Sequence, residues 1–141
     1  YLRYLLQDSK INMEKILITG SEGFIGSHLK RQFAGKYETL GLDCKISVFH
    51  DIRYINYVSK FVTDFRPDYI IHLAANPDVS ISTIYPQEDL MLNVNGTLNM
   101  LELCRTSNLK IKLFILFHKH YFTALFLLHP FQCQYELIHI I

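Results

Sequence analysis

Apolar residues along this chain follow two alternating rhythms, one of short unbroken runs and one of helical stripes. "KILITG", Lys15 to Gly20, is a β-branched run stopped by glycine and reads as a buried strand. Ile25, Leu29 and Phe33 then fall on one stripe of a helix, and Gly35 suits its end. "YETLGLD" (Tyr37 to Asp43) reads as a second strand and "ISVFHDI" (Ile46 to Ile52) as a third, with a tight connection between them. Ile55, Val58 and Val62 repeat at helical spacing until Pro67 ends the run. "YIIHLAA", Tyr69 to Ala75, is continuously apolar, as expected of a strand covered on both faces of a parallel sheet. After a turn at "NPD" (Asn76 to Asp78), a longer helix covers Gln87 to Arg105 with Met91, Val94, Leu98 and Leu101 on its stripe. "KIKLFIL" (Lys110 to Leu116) reads as a further strand.

Strands alternating with helices mean βαβ units with right-handed crossovers. The expected fold class is α/β: a doubly wound parallel sheet in three layers over residues 13–116, with strands near 15–20, 37–43, 46–50, 69–75 and 111–116. Residues 1–12 read as an N-terminal extension and 117–141 as an atypical C-terminal tail in which no well-packed element is expected.

"ITGSEGFIGSHL" sets Gly20, Gly23 and Gly26 at three-residue spacing between the first strand and the first helix. A diphosphate against the first turn of a helix meets unpaired N–H groups and the positive end of the helix dipole. Gly20 would make the tight exit from the strand, Gly23 the close approach to phosphate, and Gly26 the close packing of helix on sheet. Asp43 ends the next strand, where a carboxylate can accept bonds from both hydroxyls of an adenosine ribose and would repel a 2′-phosphate. NAD is thereby favoured over NADP as cofactor.

Four segments together, Gly20-x-x-Gly23-x-x-Gly26, Asp51-Ile52, "HLAA" at His72 to Ala75 and "NVNGTLNMLE" at Asn93 to Glu102, resemble the extended short-chain dehydrogenase/reductases. More narrowly they are similar to the NAD-dependent epimerase/dehydratase group acting on nucleotide sugars, over about Met13 to Leu116. The resemblance implies a Rossmann-type domain, a nucleotide-sugar substrate and, as a candidate partner, a second copy in a homodimer. It also implies that Phe24 and Ile25 join the glycines around the pyrophosphate, that Asp51 bonds the adenine amino group and that Ile52 flanks the ring. Ala74 and Ala75 would pass under the cofactor, and Asn93 would lie near the nicotinamide side. Local readings stand beside these: Asp51 as a helix N-cap, His72 as a hydrogen-bonded core residue, Asn93 and Asn95 as polar helix positions, Asp78 and Ser80 as turn formers.

The family's proton transfer uses a Tyr-x-x-x-Lys pair, and none of the nine tyrosines here has Lys four residues on. The pattern departs at Phe117. From Leu113 onward the chain carries one Lys, one Glu and four His among many aromatics. His118, His120, His129 and Cys133 match no well-defined zinc spacing. A shifted reading frame, an unspliced segment or a truncated gene model would each give such a tail. The function expected is therefore the NAD-binding N-terminal part of a nucleotide-sugar epimerase or dehydratase, truncated and inactive as this chain, with a non-catalytic NAD-binding module as the alternative.

Composition adds exclusions. A length of 141 residues suits one domain with a real core. A net charge of +1 without any Lys/Arg run argues against a nucleic-acid partner. The longest uncharged apolar runs fall short of the ~20 residues a membrane helix needs, so no membrane partner is expected. The N-terminal "YLRYLLQDSKIN" has too short an apolar core for a signal peptide, and three cysteines without a CxxC pair suit a reducing, cytoplasmic setting.

Overall fold

A computed structural model describes residues 13–76, 78–107, 112–117 and 134–139. Its sheet has five strands: β1 (Lys15–Thr19), β2 (Glu38–Leu42), β3 (Tyr69–His72), β4 (Lys112–Phe117) and β5 (Gln134–His139). They lie side by side in the order β2-β1-β3-β4-β5. Every pairing is parallel, with Leu17 opposite both Leu40 and Ile70, and Tyr69 opposite Lys112. Between the strands run α1 (Phe24–Phe33), α2 (Ile55–Phe65) and a helical stretch made of α3 (Val79–Ile84), α4 (Pro86–Asp89), a π-helical segment (Leu90–Asn95) and α5 (Gly96–Thr106).

Strand alternation decides the layers. Leu17, Leu42 and Ile70 point to one face, where they pack with Val58 and Val62 of α2 and Met100, Leu101, Leu103 and Cys104 of α5. Ile16 and Ile18, also buried, point the other way, toward the face of α1. The chain leaves β1 for β2 on one side and then crosses to β3 on the other, which puts α1 on the face opposite α2 and α5. Three layers result, as the periodicities predict.

Two helix ends follow from backbone chemistry. Gly35 takes φ +75°, letting Lys36 and Tyr37 return N–H bonds to the Phe33 carbonyl at 2.9 and 3.1 Å. α2 stops at Arg66 (φ 54°), one residue before Pro67, with the Arg66 N–H on the Val62 carbonyl. Among the described residues no helix is long and apolar enough to cross a membrane.

Three expectations are corrected. Residues 46–50 are not a strand. The Asp43 carbonyl accepts the N–H groups of Ile46 and Ser47, and Ser47 Oγ caps Phe49, so the chain curls into a 3₁₀ turn over Val48–His50. Its apolar side chains stay outside, Val48 at 61% and Phe49 at 51% exposure, leaving β2 as the edge of the sheet. The stripe proposed for the long helix does not stay on one face either. Met91, Val94 and Leu98 are exposed while Leu101 is buried. In the π-helical segment the Gly96 N–H reaches back five residues to the Met91 carbonyl, and the extra residue per turn rotates everything after it. The buried line of α5 is instead Thr97, Met100, Leu101 and Cys104. Finally, Gln134–His139 forms β5, a strand that the sequence pattern did not announce. The open edge of β4 offers a full row of backbone partners to any short extended segment.

Gly26 gives a direct test of the helix-on-sheet contact. A Cβ there would lie 2.2 Å from the Gly20 carbonyl oxygen and 2.8 Å from Ser21 Cα, both backbone atoms. Gly26→Ala should therefore cost about 1–3 kcal/mol in urea denaturation. Gly35→Ala, where a Cβ meets nothing within 4 Å, should cost only its left-handed backbone, about 1 kcal/mol. A Gly26→Ala chain as stable as the original would show that the contact is not tight.

Candidate functional site

In an open parallel sheet, ligands settle at the carboxyl ends of the strands where neighbouring connections part in opposite directions. Here that point lies between β1 and β3. The glycine turn leaves β1, and residues 73–76 leave β3 beside it. Gly20 has φ +69°, and a Cβ on it would come within 2.8 Å of Ala74 N and the Leu73 carbonyl carbon. Only glycine permits both the dihedral and the contact. The Gly20 N–H bonds the Leu42 carbonyl at 2.8 Å, so the turn is tied to β2 as well.

Gly23 starts α1 without any side-chain cap. The first intrahelical bond runs from the Ser27 N–H to the Gly23 carbonyl at 2.9 Å, which places the N–H groups of Phe24, Ile25 and Gly26 ahead of the helical ladder. Phe24 is 94% exposed and Ile25 is also exposed, so their backbones, rather than packed side chains, shape this end. Such a turn fits a diphosphate: it offers donors, the positive end of a dipole, and space that side chains would fill.

Asp43 follows β2 directly and is buried to 8% exposure. Its Oδ2 accepts the Glu22 N–H and its Oδ1 the Lys45 N–H, each at 2.9 Å. Each oxygen keeps further acceptor capacity while its position is fixed by backbone. Glu22, adjacent to the turn, is paired with Lys30 at 2.5 Å, and that bond holds its carboxyl below the usual range. Ser21 is fully buried, and Gly41 makes room for it: a Cβ at Gly41 would sit 2.6 Å from Ser21 Oγ.

Asp51 and Ile52 are both buried. The Asp51 carboxylate accepts the Arg53 backbone N–H at 3.0 Å and the Arg53 guanidinium at 2.7–3.1 Å. Arg53 reaches on to Glu88 at 2.8 Å. Burial pushes the Asp51 carboxyl upward, but the bonds from Arg53 outweigh it and hold the group below its ordinary range. Asp51 does not cap α2, which starts after Tyr54 with no side-chain cap. Ile52 belongs to the core, and a Cβ on Gly96 would come within 2.5 Å of its Cδ1.

Ala74 is half-buried and Ala75 exposed on the segment after β3. Asn93 lies in the π-helical segment, where its Oδ1 accepts the Asn76 N–H and its Nδ2 donates to Asp89, both at 2.8 Å. Asp78 and Ser80 form turns: Asn76 Oδ1 accepts the Asp78 N–H and Asp78 Oδ1 accepts the Ser80 N–H. His118, His120, His129 and Cys133 lie outside the described residues.

His72 is 3% exposed and bonded at both ring nitrogens, to Thr19 Oγ1 at 2.7 Å and Thr97 Oγ1 at 3.1 Å. Proton counting fixes the tautomer. Thr97 spends its only hydrogen on the Asn93 carbonyl at 2.6 Å, so it must accept from His72 Nε2–H. Nδ1 is then the acceptor, and the Thr19 hydroxyl donates to it. Thr19 Oγ1 in turn accepts the N–H groups of Leu73 and Ala74 at 3.2 and 3.3 Å. A directed thread thus joins the end of β1, β3, the loop after it and α5. Sequence reading singled out His72 but not Thr19, Thr97 or Asp89. A histidine inside an apolar strand was itself the signal that buried hydroxyl partners exist.

Residues 16–118 match the NAD dependent epimerase/dehydratase family. A probable dTDP-glucose 4,6-dehydratase of Sinorhizobium fredii is 33% identical in an alignment covering 64% of this chain and 31% of that protein. A CDP-paratose 2-epimerase of Salmonella typhi is 34% identical over 67% of this chain and 33% of its own length. Among solved structures, the UDP-glucose 4-epimerase of Thermus thermophilus in complex with NAD superimposes with a TM-score of 0.65 at 32% identity, over 72% of this chain and 37% of that one. A dTDP-4-dehydrorhamnose reductase of Bacillus anthracis in complex with NADP gives 0.64 at 26% identity, over 74% and 36%. The chain spans about a third of the length of the curated relatives it matches.

Burial alone lowers the His72 pKa from 6.5 to about 4. The folded value lies below the unfolded one, so between them the unfolded chain binds the extra proton, and stability present above pH 6.5 is lost as the pH falls toward 4. Moving from about pH 7 to about pH 5 should remove roughly 2 kcal/mol of unfolding free energy through this group. Urea titrations at both pH values check it, with His72→Asn expected to flatten that part of the slope. An unchanged slope in the variant would show that His72 is not the group titrating.

Proposed function

The chain belongs to the NAD-dependent epimerase/dehydratase family, and from that premise we propose that it is the dinucleotide-binding part of a nucleotide-sugar epimerase or dehydratase. The observation that carries the reading is the uncapped start of α1, set against the glycine turn at the sheet's switch point with Asp43 fixed at the end of β2. A pyrophosphate would lie on the Gly20–Gly26 turn, held by the N–H groups of Phe24, Ile25 and Gly26. Asp43 would take the adenosine ribose, Asp51 and Ile52 the adenine edge, and Ala74, Ala75 and Asn93 the nicotinamide side.

NAD, when bound, supplies a place for a hydride from the sugar to go and return from. The chain's own residues account for binding and orientation. Proton transfer is not provided for: no tyrosine in the sequence is followed four residues on by lysine. For the 141-residue chain itself the reading is therefore cofactor recognition without turnover.

NAD is the preferred form of the cofactor because the Asp43 carboxylate is buried and already oriented by two backbone donors. Two ribose hydroxyls can donate to its remaining lone pairs, whereas a 2′-phosphate would bring like charges together in a partly desolvated site. Bonds to a charged group are worth on the order of 1.5–3 kcal/mol, so Asp43→Ala should weaken NAD by roughly tenfold or more and narrow the gap to NADP. Calorimetric titration of both cofactors against both chains decides it. Equal affinities in the unmodified chain would end the case for Asp43.

A second measurement addresses chemistry. Purified chain incubated with NAD and a UDP- or dTDP-hexose should give no epimer and no 4-keto product, and a detectable NAD-dependent conversion would contradict the reading.

A further inference from the structure

We propose that Asp89 is the positioning residue for the half of the cofactor site that lies beyond the glycine turn, acting by fixing the orientation of two asparagine amides. The inference rests on the NAD-binding reading above and assigns a role to a residue outside the motifs that carried it.

Asp89 Oδ1 accepts three hydrogen bonds: from Ser82 Oγ at 2.8 Å, Asn93 Nδ2 at 2.8 Å and Asn76 Nδ2 at 3.0 Å. An ionised carboxylate only accepts, so both asparagines must turn their NH₂ groups toward it. Reversing either amide would set oxygen against oxygen. With its NH₂ group committed, Asn93 has its Oδ1 directed at the Asn76 backbone N–H, 2.8 Å away. With its own NH₂ committed, Asn76 turns its Oδ1 to the Asp78 N–H at 3.1 Å. One carboxylate therefore sets two amides, and through them holds the Asn76 backbone and side chain together.

That segment is the one the glycine turn rests on, since the position of a Cβ on Gly20 lies 2.8 Å from Ala74 N. Asp89 closes α4 and Asn93 lies in the π-helical segment that follows, its amide nitrogen 2.8 Å from the carboxylate. The His72 thread reaches the same residue from the opposite side, ending on the Asn93 carbonyl. Asn93 is thus held by its carbonyl, its amide oxygen and its amide nitrogen at once. A dinucleotide lying across the switch point has its adenosine half toward β2 and Asp43, and its other half over the residues after β3. Asp89 touches neither half. It governs the second by holding the floor beneath it.

The position makes an asymmetric prediction that a merely structural carboxylate would not. ADP spans only the glycine turn and the β2 side, whereas NAD also covers the β3 side. Calorimetric titration of the full chain should show Asp89→Leu weakening NAD about tenfold while leaving ADP within about twofold. Asp89→Asn, whose amide oxygen can still accept, should bind NAD within about threefold of the unmodified chain. Asp89→Ser, too short to span the three donors, carries the leucine expectation should leucine unfold the chain, with far-ultraviolet circular dichroism as the check. Equal losses for ADP and NAD, or an unchanged NAD affinity, would overturn the assignment. An asparagine variant as weak as leucine would place the effect in charge rather than acceptance and overturn the hydrogen-bond account. If the unmodified chain binds neither ADP nor NAD, the cofactor reading fails, and this inference with it.

Discussion

Backbone meets backbone at the end of β1, and the placing of α1 and of the β3 loop follows from that contact. The turn after Thr19 lies against the segment leaving β3 and against the first turn of α1, with room for hydrogen atoms and no more. A Cβ at Gly20 or Gly26 would come within 2.8 or 2.2 Å of main-chain atoms, which cannot swing aside as a flexible side chain could. Because those positions are glycine, α1 can begin close to the sheet, its first N–H groups can face the crevice, and the β3 loop can lie beside them. The same closeness leaves little tolerance. A shift of either neighbour by an ångström would open the turn or collide with it.

Such a contact needs support, and polar groups rather than apolar packing supply much of it at this end of the sheet. Thr19, His72, Thr97 and the Asn93 carbonyl form a thread in which each hydrogen has one direction to go. Thr19 also takes two N–H groups from the loop after β3. In a buried setting an unmet donor or acceptor costs more than a good bond gains, so a satisfied thread specifies one arrangement and penalises others. The neutral imidazole is part of this: a second ring proton would have no acceptor, because the Thr19 hydroxyl already points its own hydrogen at that nitrogen. The apolar core below, from Leu17 and Ile70 to Val58 and Met100, holds the layers together but does not aim the loops.

The connection between β2 and α2 shows how a short segment can carry several duties. A strand there would have needed a neighbour; the chain instead curls, buries Asp51 and Ile52, and leaves Val48 and Phe49 outside. Arg53 then bridges the Asp51 carboxylate to Glu88 of α4. Asn99 adds bonds to the carbonyls of Ile52 and Arg53 at 2.9 and 3.2 Å. The adenine side expected from the resemblance is thereby braced against α4 and α5, the helices that flank the π-helical segment carrying Asn93.

Much of the architecture was legible in the chain itself. The short β-branched runs, the stripe of Val58 and Val62, and the three-residue spacing of Gly20, Gly23 and Gly26 each express a local property: side-chain period or backbone permissiveness. So does Asp43, which stands next to the last residue of its strand wherever that strand is placed. What failed or stayed silent were properties that depend on distant residues. The 46–50 run looked like a strand because its apolar pattern is a strand's, yet the bonds to the Asp43 carbonyl and the Ser47 side chain won. The long helix lost its stripe to a π-helical turn, whose extra residue no constant period can represent. β5 took shape where β4 offered an open edge. Which hydroxyl meets His72, and which carboxylate turns Asn93, could not be read from spacing, because Thr19 and His72 are 53 residues apart and become neighbours only through the parallel register of β1 and β3. Most of the elements, though not the 46–50 turn or β5, and the glycine spacing at the first turn were open to reading from the chain alone, since conformational preference is local. Their partners were set by the fold, since a hydrogen bond is a property of two positions that folding alone brings together.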